Sequence, residues 1–137
     1  MLLTSRSDAT TSEMYQSTQG SDASALASSD ERRVASAWKQ RIDDLLSVRQ
    51  LKHDWDGLGA VAPHPELVDS AIDLTKRLEE RGELPAPSRV AAGPSGTVLI
   101  EWQIGEAYLE TEIEQPRHAA WMLECPGNAI EHWESSW

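Results

Sequence analysis

Residues 84 to 87, Leu-Pro-Ala-Pro, separate two parts of the chain that have different hydrophobic periods. Before them, apolar residues recur every three or four positions. After them, apolar and polar residues alternate. A helical period buries one stripe of a helix, and an alternating period buries one face of a strand. The order is therefore helices first and sheet second, which defines an α+β domain. Pro85 and Pro87 enforce the change, because proline lacks the N–H a helix needs.

In the helical part, Val34, Trp38, Ile42, Leu45 and Leu46 follow one stripe, and Arg33, Lys39, Gln40, Asp43 and Asp44 lie opposite. This predicts a first helix starting at Ser29 or Asp30 and running to about Leu51. Asp30 is followed three residues on by Arg33, so no capping box is expected there. A second helix is predicted from Pro65, with Glu66 in its first turn. Leu67, Ala71, Leu74 and Leu78 form its stripe, widened by Val68 and Ile72. Gly82 is placed to end it in a left-handed conformation.

In the alternating part, SRVAAG, TVLIEWQ, AYLETEIE and HAAWMLEC read as four short strands separated by GPSG, IG and QPR. Taking Ile104-Gly105 as a two-residue hairpin loop pairs Trp102 with Ala107, Ile100 with Leu109 and Val98 with Thr111. One face then collects Val98, Ile100, Trp102, Leu109 and Ile113. With QPR as a three-residue loop, Ala119, Trp121, Leu123 and Cys125 join it. The expected fold is two helices packed on one face of a four-stranded antiparallel meander, residues 30–125. Residues 1–29 are rich in Ser and Thr and are expected to stay disordered, a solvated leader. The alternative is that Met14 and Tyr15 anchor a partner. Residues 126–137 form a tail whose order the pattern leaves open.

The net charge of −11 repels phosphate backbones and anionic membrane surfaces. Neither nucleic acid nor membrane is an expected partner; the charge fits simple solubility first, and a basic protein partner as the functional alternative. No apolar run approaches the ~20 residues of a membrane span. The start, MLLTSRSDATTS, is too short for a secretory signal core, so the expected location is cytoplasmic. One cysteine, Cys125, allows no internal disulfide and no thiolate metal cluster.

The densest group of chemistry-bearing residues is DWDGLGA, residues 54–60. Read as a calcium loop with Gly57 at the glycine position, it puts Lys52 and Pro63 where the two most informative ligands belong, so the match fails. His53, Asp54, Asp56 and His64 are an N/O donor set without the spacing of a zinc site. The more economical reading is a corner between the helices. Asp56 and Gly57 turn the chain, Gly59 takes a positive φ, Ala60 packs closely and Trp55 plugs one end of the core. Ser95, in GPSG, joins two strands and reads as a turn residue. Cys125 reads as a buried structural thiol. His118 and His132 have no ligand spacing. No phosphate-binding glycine motif occurs, and no cofactor or metal is expected.

Glu110, Glu112 and Glu114 share a strand face with Tyr108, and Glu101 and Glu124 belong to the same face of neighbouring strands. Residues 101–137 hold eight glutamates against one arginine, a formal −7. These carboxylates lie away from the predicted core, which fits a solvated sheet face and, among functional readings, favours docking over acid–base catalysis. Tyr108, Glu110, Glu112 and Glu114 are the candidate partner surface. Of six tryptophans, Trp38, Trp102 and Trp121 fall on apolar faces. Trp133 and Trp137, in the tail, either dock on their own domain or contact a partner.

The Trp55-to-Ala60 motif W-D-G-x-G-A, then Pro85-Ala86-Pro87, then the Gly96–Trp102 segment ending in Glu-Trp, together resemble a family of small bacterial proteins with no assigned activity. The resemblance covers about residues 42–124 and implies no catalytic residue. Some relatives of that kind sit near mobile or toxin–antitoxin-like genes. The leading functional expectation is a small, acidic, non-catalytic protein-interaction or accessory module. One alternative is an antitoxin- or immunity-like neutraliser of a basic partner. Another is a small hydrolase or metal-dependent enzyme using His53, Asp54, Asp56 or Cys125.

Overall fold

The computed structural model describes residues 28–137. The expected leader, with Met14 and Tyr15, therefore falls outside the described residues except for Ser28 and Ser29. Helices α1 (Ser29–Val48) and α2 (Pro65–Arg81) precede strands β1 (Arg89–Ala92), β2 (Val98–Ile104), β3 (Ala107–Gln115), β4 (His118–Glu124) and β5 (Glu131–Ser136). The sheet is antiparallel throughout, in the order β1-β2-β3-β4-β5. It has five strands where the alternation predicts four. The fifth comes from the tail and pairs Trp133 with Trp121 and His132 with Met122. Its sequence, EHWESS, has one large apolar residue because an edge strand buries little, and this hides it from a pattern search.

The cap of α1 precedes the Asp30–Arg33 pair. Ser28 is the N-cap: its Oγ accepts from the Glu31 N–H at 3.1 Å, and Glu31 Oε1 accepts from the Ser28 N–H at 3.0 Å. This is a capping box, satisfying two otherwise orphaned donors. The helix ends at Val48 rather than Leu51. Of its stripe only Trp38 and Leu45 are buried, joined by Val48 from outside it; Val34 is 56% and Leu46 47% exposed. Every residue from 28 to 37 is exposed, so the first turns of α1 lie outside the core. α2 starts with Pro65, and its N-cap His64 accepts from the Glu66 N–H through Nδ1 at 3.1 Å. Gly82 closes it at φ +66, the left-handed position.

Both helices pack on one face of the sheet. Leu67, Val68, Ala71, Leu74 and Leu78 of α2 meet Val98, Ile100, Trp102, Leu109, Ile113, Ala119 and Trp121 in a single apolar cluster, which Trp38 and Leu45 of α1 extend. Trp102 is completely buried, and its indole N–H donates to the Pro85 carbonyl at 2.8 Å. The proline segment that ends the helical part is thereby tied to the centre of the sheet.

The β2–β3 hairpin differs from expectation by one loop position. Gly105-Glu106 is the loop, with Ile104 opposite Ala107, Trp102 opposite Leu109 and Val98 opposite Ile113. Gly105 takes φ +61, and a two-residue hairpin needs a positive φ at this place. A loop starting at Ile104 would force that conformation on a β-branched residue. The slip moves each pair by two residues, so the buried face keeps its members. At the next turn only Pro116-Arg117 lie between the strands, and a bulge between Glu112 and Gln115 restores the register. Thr111 then faces Trp121; without the bulge Glu112 would, with its carboxylate on the core side. Cys125 lies past the end of β4 and is half-buried.

Candidate functional site

DWDGLGA forms a closed loop whose carboxylates face inward. The Asp54 N–H donates to the Ala60 carbonyl at 2.7 Å, and Asp54 Oδ1 accepts from the Gly59 N–H at 2.6 Å. Asp56 Oδ1 accepts from the N–H groups of Leu58 (2.8 Å) and Ala60 (3.0 Å). These two donors hold the Asp56 carboxyl below its ordinary value. Asp54, Gly57 and Gly59 all have positive φ, and Ala60 is buried. Trp55 is half-buried and lies outside the apolar cluster; its indole N–H donates to the Val61 carbonyl at 3.3 Å. Val61 in turn bridges to Ser95, and its N–H donates to the Pro94 carbonyl at 2.9 Å. The loop and the GPSG turn are thus one structural unit, in which Ser95 is a turn residue.

Among the described residues, no group of three or more His, Cys, Asp or Glu side chains is placed to hold a metal. His53 is exposed, His64 caps α2, and Cys125 follows β4 and is half-buried.

The sheet face opposite the helices is where charged side chains collect. Cross-strand pairing aligns Arg89, Glu101, Glu110, Met122 and His132 in one row, and Ala91, Leu99, Glu112, Ala120 and Glu134 in the next. Gln103, Tyr108 and Glu124 form a third. The Tyr108 hydroxyl donates to Glu110 Oε1 at 2.8 Å. Burial raises the Tyr108 phenol well above its ordinary value, and Glu110 and then Glu101 add to the shift. Arg89 lies 3.3 Å from Glu101. No described side chain bonds to or pairs with the carboxylates of Glu112, Glu114 and Glu124. Glu112 and Glu114 border a depression of about 220 Å³ together with His118 and Glu134. His118 Nε2 is 2.6 Å from Glu134 Oε1, and its Nδ1 is 3.0 Å from Ser136 Oγ.

Tyr108, Glu110, Glu112 and Glu114 therefore share one face with Glu101 and Glu124. Sequence reasoning missed His132 and Glu134 because they lie on β5, and it passed over His118, which shares the outward face of β4 with Glu124. Trp133 faces the other way, stacked on Trp121 with ring centroids 5.9 Å apart, and Trp137 packs against the core. No helix among the described residues is long and apolar enough to cross a membrane. No family model matches the chain, and neither does any curated protein or solved structure.

Proposed function

We propose that this chain is a non-catalytic interaction module that docks a basic protein on the open face of its sheet. One observation carries the reading. Glu112, Glu114 and Glu124, with no side-chain partners of their own among the described residues, border half-buried Leu99, Tyr108 and Met122 on a face that no described element covers. Apolar groups ringed by charge suit a protein interface, in which the centre is desolvated and the rim sets orientation. Arginine or lysine side chains of the partner would meet the glutamates, and its apolar residues would cover Met122 and Leu99. A surface of this sign disfavours nucleic acid.

The test is co-purification of the tagged chain from its native host, compared with the triple variant Glu110→Lys, Glu112→Lys, Glu114→Lys. The unmodified chain should capture a basic protein in stoichiometric amount, and the triple variant should lose it while keeping its circular dichroism spectrum and melting temperature. Equal capture by a folded triple variant would refute the proposal.

A further inference from the structure

The sheet is wider than the helix layer on its inner face. α1 lies against β1, and α2 against β2 and β3. Towards β5 the inner face is progressively uncovered. Trp102, Trp121 and Trp133 form a row with successive centroids 5.9 Å apart, and exposure rises from 0% through 8% to 41%. Beside the last turn of α2, Trp133, Leu123, Ile104 and Leu84 line an apolar groove of about 450 Å³. Leu78, Arg81, Trp121 and Ser135 border both this groove and a second hollow of about 330 Å³, which Arg77 and Trp137 also line. Such volumes lie within the roughly 300–1,000 Å³ of small-molecule sites.

The two hollows differ in chemistry. The first is mainly apolar, while the second offers hydrogen-bond donors. Arg81 stands where they join, and its side chain makes no ion pair or hydrogen bond with any described residue. The indole Nε1 of Trp137 is buried without an acceptor. A buried donor left unmet is unfavourable, and a free guanidinium beside it matches a planar carboxylate. Glu80 and Glu83, exposed at the rim, disfavour a polyanion. We infer that the groove binds a small amphipathic monoanion, an acyl carboxylate whose chain lies on Trp133, Leu123 and Ile104 and whose head meets Arg81 and the Trp137 indole. This site lies on the opposite face from the acidic docking surface and does not depend on it.

Calorimetric titration of the full chain with decanoate, below its micellar concentration, tests the inference, with decanol as the neutral control. Decanoate should bind saturably at one site per chain. Arg81→Gln should weaken decanoate about tenfold, the loss expected for one charge-assisted hydrogen bond, and leave decanol unchanged. Trp133→Ala should weaken both. No saturable binding of decanoate would overturn the proposal, as would an Arg81→Gln variant that binds it unchanged. A dimer that Trp133→Ala dissociates would also overturn it, because a second copy would then cover the groove.

Discussion

Replacing Trp102 by phenylalanine isolates what the proline segment contributes to the fold. The indole is completely buried, stacks on Trp121, and donates to the Pro85 carbonyl at 2.8 Å. Phenylalanine keeps a ring in place and removes the donor. The carbonyl is then left unmet in a part-buried position, at about 1–2 kcal/mol. The missing ring atoms withdraw some tens of Å² of buried apolar surface, about 1 kcal/mol more. The expected loss is about 2–3 kcal/mol. For a folded unit of this size that is a fall in Tm of roughly 8–12 °C. Trp121→Phe is the internal control. Its indole bonds to Ser135 Oγ, also at 2.8 Å, but that hydroxyl can rotate to another partner, which the fixed Pro85 carbonyl cannot. That variant should lose about 1 kcal/mol less than Trp102→Phe, since its acceptor is not stranded. Urea unfolding followed by far-UV circular dichroism gives both values. A Trp102→Phe loss below about 1 kcal/mol, or one equal to that of Trp121→Phe, would mean that the Pro85 bond does not anchor the segment.

Three further outcomes follow from the local geometry. Ser28→Ala removes the oxygen that accepts from Glu31 N–H and should lower stability by about 1 kcal/mol in the same urea assay, with Ser28→Asp close to the parent. Gly59 has φ +86, and a methyl group added to its Cα would meet no atom within 4 Å, so Gly59→Ala should cost about 1–2 kcal/mol through backbone strain alone, and Gly59→Asn less. The Asp56 carboxyl is lowered in the fold by the Leu58 and Ala60 N–H groups, so its contribution is complete above the unfolded-state value, near 3.9, and fades as pH falls through the folded one. Urea midpoints of Asp56→Asn and parent should therefore differ at pH 6 and converge towards pH 2; a constant gap would place the stabilisation elsewhere.

The change of period at Leu-Pro-Ala-Pro was legible because it depends on burial, and burial leaves its mark on residue type. The α+β class, the second helix and the membership of the buried sheet face all follow from it. What the pattern could not resolve was anything set by backbone conformation. Ile104-Gly105 and Gly105-Glu106 loops bury the same side chains, and only the positive φ at Gly105 separates them. The Ser28 cap was legible in the sequence, since Ser28 followed three residues on by Glu31 is a capping-box pattern, which the expected start at Ser29 or Asp30 passed over. β5 was hidden because its outward residues are polar and its one large inward residue is Trp133.

The two faces of the sheet show why function was harder to read than fold. The glutamate row on β3 was visible because alternate residues of one strand share a face. Its setting was not, since Arg89, His118 and Glu134 reach it only through pairing with other strands. The inner groove was less visible still. Its apolar residues, Leu84, Ile104, Leu123 and Trp133, come from three strands and a loop, and of them the alternation assigns only Leu123 to the core face. They line a groove rather than a core because α2 stops over β3 while the sheet continues to β5. An additional strand on a two-helix layer thus creates uncovered apolar surface by geometry. On a chain of net charge −11, Arg81 is a cationic side chain left without an ion pair beside that surface.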